Sequence, residues 1–111
     1  MASQPRILIV DDEVEMLKVC SKVMQSWGFV PVTASDGAKA IRLAEQDEFD
    51  LVLCDLYMPE SDGIQVLEVL TKSKPNLPVI MLSAYGTIDR AVAAMKAGAF
   101  DFIEKPFEAE H

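Results

Sequence analysis

Five short apolar runs, set between segments of a different rhythm, constrain this chain more than anything else in it. They fall at residues 6–10, 29–34, 50–54, 78–83 and 99–103. Each is rich in β-branched or aromatic residues and is bounded by polar, Gly or Pro positions, as strands are. Two of them, ILIV and LVLC, are apolar at every position instead of alternating. A strand half exposed to water alternates; one covered on both faces does not, so these runs predict a parallel sheet.

The intervening segments carry helical spacing. Over 13–27 the apolar positions Met16, Leu17, Cys20, Val23, Met24 and Trp27 recur every three or four residues, and Gly28 follows as a stop. Ser35 or Asp36 can cap a second helix reaching Gln46, with Ala40, Ile41 and Ala44 on one face. Ile64, Leu67 and Leu70 mark a third before Pro75. In a fourth, Ile88, Ala91, Val92 and Met95 fall at i, i+3, i+4 and i+7, with Thr87 as N-cap and Gly98 just past the end. Strands alternating with helices give a βαβ series, whose right-handed crossovers place helices on both faces of one open sheet.

A chain of 111 residues is expected to form a single domain, 1–111. Half of its residues are apolar and a quarter charged, the balance of a globular protein. A formal charge of -8 repels phosphate backbones, so no direct nucleic-acid binding is expected. No apolar run nears the roughly 20 residues needed to cross a bilayer, and acids interrupt the start where a signal peptide would stay apolar. No membrane association is expected, and the expected location is cytoplasmic. Cys20 and Cys54 lie too far apart for a metal knuckle, and both are read as reduced core residues. His111, at the terminus, is given no role.

In open α/β sheets functional groups gather beyond the carboxyl ends of the strands. Here the first strand ends in Asp11, Asp12 and Glu13, the third in Asp55, the fourth in Ser83 and the fifth in Lys105-Pro106. Taken singly, a strand-end Asp is more often a turn or cap residue and a lone Lys is usually solvated. Taken together, three converging carboxylates would repel unless a cation shared the site. Mg²⁺ suits one or two carboxylates plus phosphate oxygens, and Lys105 would meet the remaining phosphoryl charge.

The ordered set of VDDE at 10–13, DLYMPESDG at 55–63, SAYG at 83–86 and AMKAGAFDFIEKPF at 94–107 closely resembles the response-regulator receiver family of two-component signal transduction. That resemblance covers nearly the whole chain. It implies a flavodoxin-like, doubly wound five-stranded parallel sheet of order 2-1-3-4-5. It implies Asp55 as phosphoacceptor, Mg²⁺ held by Asp11, Asp12, Asp55 and the backbone carbonyl of Tyr57, and phosphoryl oxygens bound by Ser83 and Lys105. A cis Lys105-Pro106 bond is also a family expectation. On phosphorylation Ser83 and the switch aromatic Phe102 would rearrange together, changing a surface of the fourth helix and fifth strand around Arg90, Lys96 and Phe102.

The implied partners are a sensor histidine kinase or phosphotransfer protein, with active-state dimerisation as a family expectation. Tyr57 and Tyr85 are expected to flank the mouth of the site and to modulate loss of the phosphoryl group. The chain departs from the family by stopping at EAEH after Lys-Pro-Phe, so a fifth helix is expected to be absent or truncated, exposing apolar area on strands one and five. A piece of a longer protein, with its output domain lost, is the corresponding expectation. Two rivals are a scaffold that docks partners without phosphoryl transfer and a Mg²⁺-dependent phosphotransferase acting on small molecules. Against the first, every expected site residue is present; against the second, no substrate-sized insertion is.

Overall fold

The computed structural model describes residues 4–56, 63–83 and 88–104. Its order is β1 Arg6–Val10, α1 Val14–Ser26, β2 Val30–Ala34, α2 Gly37–Gln46, β3 Leu51–Asp55, α3 Gly63–Ser73, β4 Val79–Ser83, α4 Ile88–Lys96 and β5 Asp101–Glu104. The five strands form one parallel sheet in the order β2-β1-β3-β4-β5. The predicted strand order is therefore the observed one. Among the described residues there are four helices, and no fifth.

Uniformly apolar strands are explained by two cores, one on each face. Leu8, Val10, Val52, Cys54, Val79 and Met81 point to the side covered by α2, α3 and α4. Ile7, Ile9, Leu53 and Leu82 point to the side where Leu17, Cys20 and Met24 of α1 pack. Successive residues of a strand face opposite ways, so covering both faces demands apolar residues at every position. Cys20 and Cys54 are buried in these opposite cores and are not joined in a disulfide.

Turn chemistry sets the helix ends. Asp36, not Ser35, caps α2, its carboxylate accepting from the Lys39 N–H at 2.8 Å. Gly28 and Gly98 end α1 and α4 at φ of 93° and 110°. Each is followed by an N–H reaching back to a carbonyl five residues earlier, Phe29 to Met24 and Ala99 to Ala94, both at 3.0 Å. That left-handed closure is one glycine adopts without steric penalty.

Two features differ from expectation. The stripe through Val92 and Met95 does not face the core: those residues are 45% and 47% exposed while Ala94 is fully buried. The alanines let α4 approach α3 closely, where Thr71 Oγ1 donates toward the Ala97 carbonyl at 3.4 Å. The larger side chains are left outside, joined by Phe100 at 70% exposure. Nor does β1 expose apolar area, since Ile7 and Ile9 are fully buried in the core that α1 covers; partial exposure is found on β5 at Ile103, as expected, and also on β4 at Ile80.

The sheet edges and the inner register are also defined. Val30 N–H bonds the Pro5 carbonyl at 2.8 Å, so Pro31 next to it turns its backbone away from β1, toward the open edge of β2. At the amino ends of β1 and β3, Arg6 donates its N–H to Asp50 Oδ2 at 2.8 Å and lays its guanidinium 5.0 Å over the Phe49 ring. These contacts tie the start of β1 to the connection entering β3.

Leu67→Ala should destabilise the domain by about 2–5 kcal/mol, because it opens a cavity at a fully buried position. Met95→Ala should cost less than about 0.5 kcal/mol. Urea unfolding of both variants checks this, and equal losses would mean that α4 is seated on its larger side chains.

A candidate acidic metal and phosphoryl site

The site is assembled by strand order. Val10 pairs with Cys54 across β1 and β3, so Asp11 and Asp55, the next residues of each chain segment, leave the sheet side by side. Asp11 N–H still bonds the Ala34 carbonyl at 3.1 Å, and Leu56 N–H bonds the Leu82 carbonyl at 2.8 Å, so the ladders extend one residue beyond the β1 and β3 pairings and hold both acids on rigid backbone. One carboxylate oxygen from each of Asp11, Asp12 and Asp55 lies within 4.8 Å of the others.

Burial separates these acids into two kinds. Asp11 and Asp55 are 1% and 4% exposed, whereas Asp12 is open to solvent. Two buried carboxylates beside a third are costly to keep charged without compensation. Part of it is local, since Asp11 Oδ1 accepts the Glu13 N–H at 3.0 Å and so aims the carboxylate while starting α1. The rest suits a divalent cation: three hard oxygen donors brought together are the kind of set that Mg²⁺ takes alongside water and phosphate oxygens.

Ser83 closes β4 and is fully buried, paired with Glu104 of β5. Asp55 pairs with Leu82, which puts Ser83 one residue further along the same edge. Phe102 pairs with Met81 and packs, half-buried, against the core beneath α2, α3 and α4. Tyr57, Tyr85, Lys105 and Pro106, together with the Thr87 cap, lie outside the described residues. The structure thus brings together Asp11, Asp12 and Asp55, with Ser83 at the same edge of the sheet.

Two contributors escaped the sequence reading. Glu13 offers its backbone N–H, and nothing in a side-chain pattern announces that. Gly63 is buried at the start of α3, its N–H bonding the Leu56 carbonyl at 3.0 Å. A glycine as a helical residue, where alanine would cost less backbone entropy, is the signal that could have drawn attention to it.

An open parallel sheet with order 2-1-3-4-5 and a carboxylate trio beyond its carboxyl edge defines a flavodoxin-like domain of the receiver type. The family model for the response regulator receiver domain matches residues 7–111, and the chain belongs to that family. It is 37% identical over 105 residues to the transcriptional regulatory protein ZraR of Klebsiella oxytoca, covering 95% of this chain and 24% of ZraR. Against the transcriptional regulatory protein GlrR of Escherichia coli K12 it is 40% identical over 111 residues, covering 99% of this chain and 25% of GlrR. The chain thus spans about a quarter of these relatives.

Solved structures agree. A CheY-like receiver domain protein from Methanospirillum hungatei superposes with a TM-score of 0.91 at 30% identity, covering 96% of this chain and 85% of that one. The beryllofluoride-activated NtrC4 receiver domain dimer gives 0.87 at 33% identity, covering 93% and 85%.

Asp12→Asn removes one of three mutually repelling charges. In EDTA the variant should be as stable as the parent or more stable, by about 1 kcal/mol or less given the exposure of Asp12. Added Mg²⁺ should raise the parent's melting temperature and leave the variant's nearly unchanged. Thermal melts with and without the ion check both halves.

Proposed function

We propose that the chain is the phosphoacceptor module of a response regulator in which Asp55 receives a phosphoryl group. The observation that carries this reading is the convergence of Asp11, Asp12 and Asp55 within 4.8 Å at the carboxyl edge of the sheet. A carboxylate oxygen of Asp55 attacks phosphorus in line, the bond from phosphorus to the donor breaks, and an acyl phosphate results. With a phosphohistidine donor the leaving group is the imidazole of a sensor kinase or phosphotransfer protein.

Asp11, Asp12 and Asp55, with the Tyr57 carbonyl, would hold Mg²⁺, which when bound neutralises charge on the transferring oxygens. Lys105 supplies a fixed positive charge and Ser83 a hydroxyl to the same oxygens. Burial of Asp55 and Ser83 favours this chemistry, because both groups are set in rigid backbone and little must reorganise at transfer. The domain acts on its own aspartate and supports gain and loss of that group; it is not proposed to turn over small-molecule substrates.

Movement of the Ser83 hydroxyl toward the new phosphate would free space for Phe102 to rotate inward from its half-buried position, a two-state packing change. The altered surface is α4 and β5, around Arg90, Lys96 and Phe102. The exposed Val92, Met95 and Phe100 there are apolar area suited to an output domain or a second copy in the active state. Among the described residues no helix is long and apolar enough to cross a membrane; the cytoplasmic location proposed here rests on the receiver family.

Incubation with acetyl phosphate and Mg²⁺, read by intact mass, should add one phosphoryl group to the parent and none to Asp55→Asn. A product of equal mass from both proteins would place the chemistry elsewhere, and steady hydrolysis of varied phosphate esters would favour an enzyme. Tyr57 and Tyr85 follow Asp55 and Ser83 by two residues each, and bulk there should hinder the attacking water. The Tyr57→Asn, Tyr85→Ala double variant should therefore lose its phosphate faster than the parent. An unchanged half-life would show that the rings only cover loop backbone.

A further inference from the structure

Gly63 sits where almost no side chain fits. A Cβ built on it collides with the backbone carbonyl oxygen of Asp55 and stands 2.8 Å from Leu56 Cα and 2.9 Å from the Leu56 carbonyl oxygen. All three are backbone atoms of the strand end that carries the buried acid. Neither side has room to yield. Leu56 is itself fully buried and its N–H is held by Leu82, while α3 is wedged behind Gly63 by Val66, Leu67 and Leu70, each 2% exposed or less. A methyl group must therefore push apart either β3 from its ladder or α3 from its core.

We infer that Gly63 is a positioning residue for the metal and phosphoryl site. The absence of its Cβ lets the first turn of α3 lie directly against the Asp55–Leu56 backbone and so sets where the Asp55 carboxylate is held. The Gly63 N–H also donates to the Leu56 carbonyl, so a hydrogen bond as well as close approach ties the start of α3 to the end of β3. This inference rests on the reading that the acidic crevice binds Mg²⁺ and then a phosphoryl group. It adds that the crevice's geometry is enforced by backbone approach as well as by strand order.

Gly98 offers a matched control. An alanine there is strained by a φ of 110° and by Thr71 side-chain atoms at 2.9 and 3.0 Å, but it lies at the end of α4 before β5, away from the carboxyl edge. Mg²⁺ affinity measured by calorimetry or amide shifts should fall about tenfold or more in Gly63→Ala, the loss typical when a ligand's support is removed. Gly98→Ala should lose melting temperature yet bind Mg²⁺ within twofold of the parent. If Gly63→Ala is partly unfolded in buffer, titration in enough sucrose to restore the native circular dichroism reads the folded form.

Parent-like affinity in folded Gly63→Ala would overturn the inference while leaving the crevice reading intact. Equal weakening in Gly98→Ala would also overturn it, since the effect would then be general loss of stability. A parent that binds no Mg²⁺ would sink the crevice reading itself, and the inference with it.

Discussion

The pairing of β1 with β3 is the contact on which the rest depends. These strands are neighbours in space but not in sequence, and joining them puts Asp11 next to Asp55 at one edge of the sheet. Two nearly buried carboxylates would not be set side by side by any local preference, since their repulsion opposes it. What holds them there is the apolar area buried on both faces of the central strands. Folding thus gathers three acids at one edge, an arrangement that a bound cation would relieve.

On the proposed reading, the same architecture separates chemistry from readout. The acids leave β1 and β3 at the centre of the sheet, while Ser83 and Glu104 form the last pair between β4 and β5 at its flank. A change at Ser83 therefore has a short route through paired backbone to β5 and to Phe102, which packs beneath the helices of that face. Helix α4 is seated there on Ala94 and bears Val92 and Met95 outward.

How much of this could be read in advance depends on the range of the interaction. The strands were legible because burial on both faces imposes an unbroken apolar run such as ILIV, but their order came only from the resemblance to the receiver family, and boundaries moved by one or two residues, as where β3 extends to Asp55 and β5 begins at Asp101. The clustering of Asp11, Asp12 and Asp55 was legible because strand-end acids follow directly from that order. The facing of α4 was not, because its periodicity points to Val92 and Met95 while close packing selects Ala94. Gly63 was read only as part of a motif, since a clash with the backbone of residues 55 and 56 exists only once α3 has docked. Glu13 likewise contributes through its backbone, which no side-chain pattern encodes.

Pro31 has a consequence for how copies of the domain meet. The outer margin of β2 lacks one of the hydrogen-bond donors that an incoming strand would need, and at the other margin β5 begins with Asp101 and ends with Glu104. Extension of the sheet from molecule to molecule is discouraged on both sides, by a missing proton on one and by negative charge on the other. A crowded cell can then hold many such domains without their zipping into ribbons, and encounters that last are left to side chains on the helices, where a reversible signal can make and unmake them.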